Sequence, residues 1–138
     1  VDLPWPENKN FSLKCKKRSI SFVQLISPTT SINRIKKILR DSHDMVYYIS
    51  MLSTTGGKLK VSPKEIIKKY QKIKKIDIKK NLVIGFGITS QNISLLKKAD
   101  GLVVGSQLCK EITTCLKKRQ NPVTKLSKMV YNLKREII

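Results

Sequence analysis

The chain has one histidine, three cysteines and only nine acidic residues among 138. The cysteines, Cys15, Cys109 and Cys115, form no CxxC and no Cys/His pair at ligand spacing. That argues against a zinc site and against a disulfide framework, and the three read as reduced thiols with no metal to hold. His43 sits in the polar stretch RDSHDM and reads as a solvated loop residue. Aromatic residues make up 6% of the chain and form no platform on which bases could stack. No apolar run approaches the roughly 18 residues of a membrane span. The opening, VDLPWPENKN, is polar and proline-bearing and does not read as a signal peptide. The reading is a cytoplasmic protein with no membrane segment. Because the opening has no Met and resembles the end of a strand, a missing N-terminal part is expected.

What is abundant is lysine. The formal net charge is +20, and of the 29 basic residues only Arg18, Arg34, Arg40, Arg119 and Arg135 are arginine. Such a balance can mark a nucleic-acid or anionic-membrane binder. Here isoleucine is also frequent and Ala99 is the only alanine, the signature of AT-rich codon usage. The lysines run along almost every helical segment instead of gathering in one patch. A solvated lysine surface is favoured over a specific nucleic-acid site.

The apolar pattern alternates between strand-like and helix-like stretches. Strands are predicted at Ser19–Ile26, Met45–Met51, Asn81–Phe86 and Gly101–Val104, with VDLP as the stub of a fifth. Helices are predicted at Ile32–Leu39, from Ser62 to about Ile76, from Thr89 or Ser90 to about Lys98, at Gln107–Lys118 and at Val123–Ile137. Ile32, Ile35, Ile38 and Leu39 share one helix face, as do Ile66, Tyr70 and Ile73. Ser31 is a natural N-cap, and Ser62-Pro63-Lys64-Glu65 has the form of a capping box with proline in the first turn. Strand–helix alternation predicts an α/β fold with a parallel sheet, as one domain over 1–138. An open doubly wound domain would place a GxGxxG or GxxxxGK[ST] loop after its first strand, and neither pattern occurs. The glycines sit on later strands instead, which favours the C-terminal half of a parallel (β/α)8 TIM barrel, about four strand–helix units and a stub.

Two runs carry the chemistry. NLVIGFGI (81–88) and DGLVVGS (100–106) each break from β-branched residues into glycine. Gly85-Phe86-Gly87 and Gly105-Ser106 offer backbone amides beside a helix start, where the helix dipole favours an anion. Thr54-Thr55-Gly56-Gly57 follows another strand and can do the same. Each motif alone also reads as an ordinary tight turn; three in succession predict an anion site. Tyr47 and Tyr48 alternate along a strand, so their rings face opposite ways; one should point into the barrel or its mouth, the alternative being a core tyrosine with a satisfied hydroxyl. Acid–base chemistry needs positioned carboxylates or histidines. Most of the acids fall in helical segments, among them Glu65, Asp77, Glu111 and Glu136, and no complete catalytic set is visible. Asp2 reads as a loop-organising residue.

The order VDLPWPE, LISPTTSINRIKKI, YYISMLSTTGG, VIGFGI and ADGLVVGSQLCKEI resembles the α chain of tryptophan synthase, in register from Val1 to about Ile112. The resemblance implies a TIM barrel that cleaves indole-3-glycerol phosphate to indole and glyceraldehyde 3-phosphate in tryptophan biosynthesis. It implies an α2β2 heterotetramer with a β chain that carries pyridoxal phosphate; no cofactor is implied for this chain. Gly56, Gly87, Gly105 and Ser106 match the substrate phosphate site. Tyr47, Thr55 and Phe86 match the substrate pocket or its closing loop. Asp2, Leu3 and Pro4 match the side facing the β chain. The family's two catalytic carboxylates, a glutamate and an aspartate, would lie upstream of Val1, and these 138 residues alone are expected to be inactive. Ser53 stands where the family commonly has glycine.

Overall fold

The computed structural model describes residues 3–50 and 61–137. Four parallel strands form its centre: β1 (Gln24–Ile26), β2 (Met45–Ile49), β3 (Asn81–Gly85) and β4 (Gly101–Leu102). Their spatial order is their chain order. Nothing in that order reverses, so the described residues form no switch point of the doubly wound kind. The register sets Ile26 beside Tyr48, Tyr48 beside Ile84, and Ile84 beside Leu102.

Alternation along the strands separates two faces. Ile26, Val46, Tyr48, Leu82 and Ile84 are buried and join one core cluster with residues of the helices. From α2 (Ile32–Asp41) come Ile35, Ile38 and Leu39, and from α3 (Pro63–Lys74) come Ile66, Tyr70 and Ile73. Each such side chain contributes about 1.5–3 kcal/mol on leaving water. On the other face, Leu25, Tyr47, Ile49 and Val83 are only half buried.

Two helix starts, at Ser31 and Ser62, are as the sequence predicts. Ser62 accepts from the Glu65 amide at 3.2 Å, and the Glu65 carboxylate accepts from the Ser62 amide at 3.0 Å. Ser31 accepts from the Arg34 amide at 3.4 Å. Asn121 caps α5 (Pro122–Arg135) by accepting from the Val123 amide at 2.9 Å. Residues 136 and 137 fall beyond that helix. Ile32, placed on the apolar face of α2, is 52% exposed.

Several boundaries differ, each for a local reason. A further helix, α1, spans Lys9–Lys17, although only Ser12 in it is buried. It closes in a Schellman motif. The Ile20 amide donates to the Cys15 carbonyl at 3.0 Å and the Ser19 amide to the Lys16 carbonyl at 3.0 Å, with Ser19 at φ 57°. Residues 19–23 are spent on that exit, so the first strand shrinks to Gln24–Ile26. Leu3 and Pro4 are not in the sheet. The Pro4 carbonyl accepts from the Asn8 amide at 3.0 Å, turning the chain at once, and Val1 and Asp2 lie outside the described residues.

The helix predicted after β3 is a single 3-10 turn, Ile93–Leu96. Asn92 explains this: its side chain accepts from the Thr89 amide at 2.9 Å and donates to the Gly87 carbonyl at 2.9 Å. Such local bonds compete with helix. α4 spans Ser106–Lys117. β3 ends at Gly85 and β4 at Leu102, with one further ladder bond from the Val103 amide to the Ile84 carbonyl at 2.8 Å.

The lower rim of the sheet, at the strand N-terminal ends, is pinned by polar side chains. His43 is half buried. Its Nδ1 accepts from the Phe22 amide at 3.0 Å, and its Nε2 lies 3.3 Å from the Ser12 hydroxyl. It ties α1 to the segments that lead into β1 and β2 and is not the solvated residue that its polar neighbours suggest. Lys80 donates to the carbonyls of Ser42 and His43, both at 2.7 Å. Asp77, expected in a helix, lies just past α3 and accepts from the Lys79 amide at 3.0 Å. No helix among the described residues is long and apolar enough to cross a membrane.

Candidate functional site

The opposite rim, at the strand C-terminal ends, gathers the motifs. β2 and β3 pair so that Ile49 lies beside Gly85. This sets Tyr47 one pleat back on the half-buried face. A Cβ on Gly85 would lie 1.7 Å from the Tyr47 hydroxyl and 2.2 Å from its Cζ. Glycine at 85 therefore makes room for the phenol. Tyr48 takes the other direction and is 1% exposed. Burial raises the Tyr47 pKa above the ordinary value, with the nearby Phe86 backbone opposing it. The phenol stays protonated at neutral pH and serves as a neutral hydrogen-bonding wall. Phe86 stands against it edge to face, with centroids 6.2 Å apart.

After Gly85 the backbone enters the left-handed region for two residues, Phe86 at φ 71° and Gly87 at φ 74°. Gly87 takes this without cost; for Phe86 it costs about 1–2 kcal/mol. Phe86 is also 48% exposed. A strained, exposed aromatic beside a glycine is the kind of feature that clusters at binding sites.

The neighbouring turn supplies the second wall. Gly105 is the N-cap of α4 and gives it no side-chain cap. A Cβ at Gly105 would meet no described residue within 4 Å. Ser106 opens the helix with an exposed hydroxyl, and the first turn contains no acidic residue. The unpaired amides of that turn and the positive end of the helix dipole suit an anion. Gln107 joins the two walls: its Oε1 accepts from the Ser90 amide at 2.8 Å, and its Nε2 donates to the Ser90 hydroxyl at 2.9 Å.

Of the residues singled out from sequence, Tyr47, Phe86, Gly87, Gly105 and Ser106 thus share one rim. Thr55 and Gly56, with Ser53, Thr54 and Gly57, lie outside the described residues, as does Asp2. Leu3 and Pro4 are exposed near the β1 edge. The Leu3 carbonyl accepts from Asn8 Nδ2 at 3.1 Å, and Asn8 and Gln24 exchange amide bonds of 2.8 and 3.2 Å. Among the described residues no carboxylate and no histidine stands at a strand C-terminal end. Asp44 and Asp100 precede strands, Asp41 closes α2, and Glu65 is engaged in its cap.

Sequence reading missed Ser50, Asn92 and Gln107. Ser50 could have been found: it continues the buried phase of Val46 and Tyr48 directly after β2. Asn92 and Gln107 act across loops, and no local pattern announces them.

A family model described as the tryptophan synthase alpha chain matches residues 1–137. The tryptophan synthase alpha chain of Pelagibacter ubique (strain HTCC1062) is 69% identical over 137 residues, covering 99% of this chain and 52% of the relative. That of Geotalea daltonii is 34% identical, covering 97% of this chain and 50% of the relative. The chain spans about half the length of the curated relatives it matches. Among solved structures, tryptophan synthase subunit alpha from Legionella pneumophila str. Paris superposes with a TM-score of 0.82 at 27% identity, over 99% of this chain and 50% of that one. Tryptophan synthase from M. tuberculosis, at 17% identity and a TM-score of 0.76, shares the fold. The parallel sheet and its helices correspond to half of a TIM barrel in these neighbours.

Proposed function

Since the chain belongs to the tryptophan synthase alpha chain family, we propose that its upper rim is the phosphate-holding side of a lyase site for indole-3-glycerol phosphate. The observation that carries this is the convergence of Gly87, Gly105 and Ser106 on one rim, joined by the Gln107–Ser90 bonds. The Gly87 and Ser106 amides and the Ser106 hydroxyl donate to the phosphate, and the dipole of α4 adds to their field. Gly56 and Thr55, outside the described residues, are assigned from the family resemblance alone, Gly56 to the phosphate and Thr55 to the substrate pocket or its closing loop. Tyr47 and Phe86 wall the indole-glycerol portion.

Cleavage needs a proton delivered to indole C3 and a proton removed from the hydroxyl on the adjoining carbon. The carbon–carbon bond between them then breaks, giving indole and an aldehyde phosphate. The described rim offers no group for either transfer. This half binds and orients, and fixing the phosphate sets the reacting carbon against acid and base groups supplied from elsewhere in the barrel. The 138 residues alone are therefore inactive. In the whole enzyme, Asp2, Leu3 and Pro4 face a β chain in an α2β2 assembly; pyridoxal phosphate is that chain's cofactor. The setting is cytoplasmic.

The test uses a chain of full family length that carries these residues. Ser106→Ala raises KM for indole-3-glycerol phosphate severalfold with kcat little changed, the mark of a lost binding contact. An unchanged KM would refute the phosphate assignment. Indole release by the pure 138-residue chain would refute the division of labour.

A further inference from the structure

Ser50, directly after β2, is fully buried. Its amide donates to the Gly85 carbonyl at 2.9 Å. Its hydroxyl lies 2.6 Å from the Gly85 carbonyl oxygen and 2.6 Å from that of Phe86. A hydroxyl has one proton, so the two carbonyls share it. Among the described residues, nothing else donates to the Phe86 carbonyl.

The consequence follows from peptide geometry. A trans peptide is planar, and its N–H points opposite to its C=O. The Phe86 carbonyl belongs to the same plane as the Gly87 amide. Holding that carbonyl down on Ser50 aims the Gly87 N–H the other way. The two left-handed residues make this matter. At φ 71° and 74° the turn lies in a region that an L-residue such as Phe86 leaves unless it is held. The two carbonyls on the Ser50 hydroxyl belong to the residues at which the chain leaves β3 for this turn.

We propose that Ser50 is a positioning residue for the anion site, its hydroxyl aiming the Gly87 amide through the Phe86–Gly87 peptide plane. The inference takes from the proposed function only that Gly87 faces the anion. The hydroxyl touches no substrate and moves no proton. Threonine retains the donor, cysteine keeps the size with a much weaker donor, and alanine removes it.

The experiment compares wild type with Ser50→Ala, Ser50→Cys and Ser50→Thr in a chain of full family length. The direction of the Gly87 N–H is read from residual dipolar couplings. Affinity for inorganic phosphate is read from amide shifts of Gly87, Gly105 and Ser106, and thermal stability is recorded beside both. The expected result is a reoriented Gly87 N–H and at least fivefold weaker phosphate binding in Ala and Cys, with Thr close to wild type. If the alanine variant does not fold, the cysteine variant decides. An unmoved Gly87 N–H with intact phosphate affinity, whatever the melting temperature does, would make Ser50 merely structural and overturn the proposal. If wild type fails to bind phosphate at these amides, the anion reading falls, while the N–H direction still decides the role of Ser50.

Discussion

The Tyr47 hydroxyl occupies the space that a side chain on Gly85 would need, 1.7 Å from where its Cβ would stand. Gly85→Ala must therefore displace the ring or the strand end, at about 1–3 kcal/mol for overpacking of this kind. The phenol tip alone is not the obstacle, since Cζ is 2.2 Å from the same point. In a double-mutant cycle Gly85→Ala should cost nearly as much on a Tyr47→Phe background as on wild type, and little on a Tyr47→Ala background, whatever the loss of the ring itself costs. Urea unfolding of wild type, the three single variants and the two double variants checks this; rescue by phenylalanine would contradict the packing argument.

Asp100 carries the second prediction. Its Oδ2 accepts from the Leu82 amide at 2.8 Å and from Lys74 at 2.6 Å, and its own amide donates to the Tyr70 hydroxyl at 3.0 Å. Partial burial works to raise its pKa. The Leu82 amide, Lys74 and Tyr70 outweigh burial and hold it below 3.8. A carboxylate depressed in the folded state stabilises fully above its unfolded pKa and loses that stabilisation as pH falls through the folded value. The window is thus below about pH 3.8. Asp100→Asn should cost about 0.5–1 kcal/mol at neutral pH, since solvent screens the Lys74 pair and asparagine keeps an acceptor, and flatten the acid limb of the stability profile. Denaturant titrations from pH 2 to 7 would show a parallel acid limb if Asp100 were idle.

Much of the fold and of the rim is legible in the sequence because the signals are local. Ser62 and Glu65 sit three apart, so their reciprocal cap is written into four residues. Val46, Tyr48 and Ser50 alternate with Met45, Tyr47 and Ile49, and that alternation by itself separates the two faces of β2. The glycines of VIGFGI and VVGS mark the rim. What escapes is set by partners distant in the chain. His43 looks solvated among polar neighbours, and its bonds to Phe22 and Ser12 arise only when α1 folds back on the sheet. α1 itself escapes because an exposed Phe11 and Leu13 give it no clean apolar stripe. The shortened strand at Ser19–Ile26 follows from that same helix, whose exit consumes five residues of apparent β pattern.

A stabilising substitution is available at the end of α4. The Gln120 amide donates to the Cys115 carbonyl at 2.9 Å and the Arg119 amide to the Leu116 carbonyl at 3.0 Å. This is a Schellman motif with arginine, at φ 53°, where glycine is usual. Arg119→Gly should raise stability by about 1 kcal/mol, because glycine meets no steric penalty in that conformation. Arg119→Ala, which retains the Cβ, should not. Equal melting temperatures for the two variants would show that the left-handed residue carries no strain.

Gln107 offers the sharpest separation of binding from folding. Its side chain makes two bonds to Ser90, of 2.8 and 2.9 Å, and both bonds are exposed. Water can replace those bonds, so Gln107→Ala should cost less than about 1 kcal/mol of stability. Yet they are the described side-chain link between the turn after β3 and the first turn of α4, the two walls proposed to hold the phosphate. Without them the Gly87 and Ser106 donors no longer keep a fixed spacing, and binding must first order them. The expected outcome, in a chain of full family length, is a KM for indole-3-glycerol phosphate raised about threefold to tenfold, equivalent to roughly 0.7–1.4 kcal/mol. The kcat should change by less than twofold, since the reacting bond lies elsewhere. Steady-state kinetics beside a thermal melt decide it. A fall in kcat at constant KM would place Gln107 in the chemical step and break the assignment of this rim to phosphate binding.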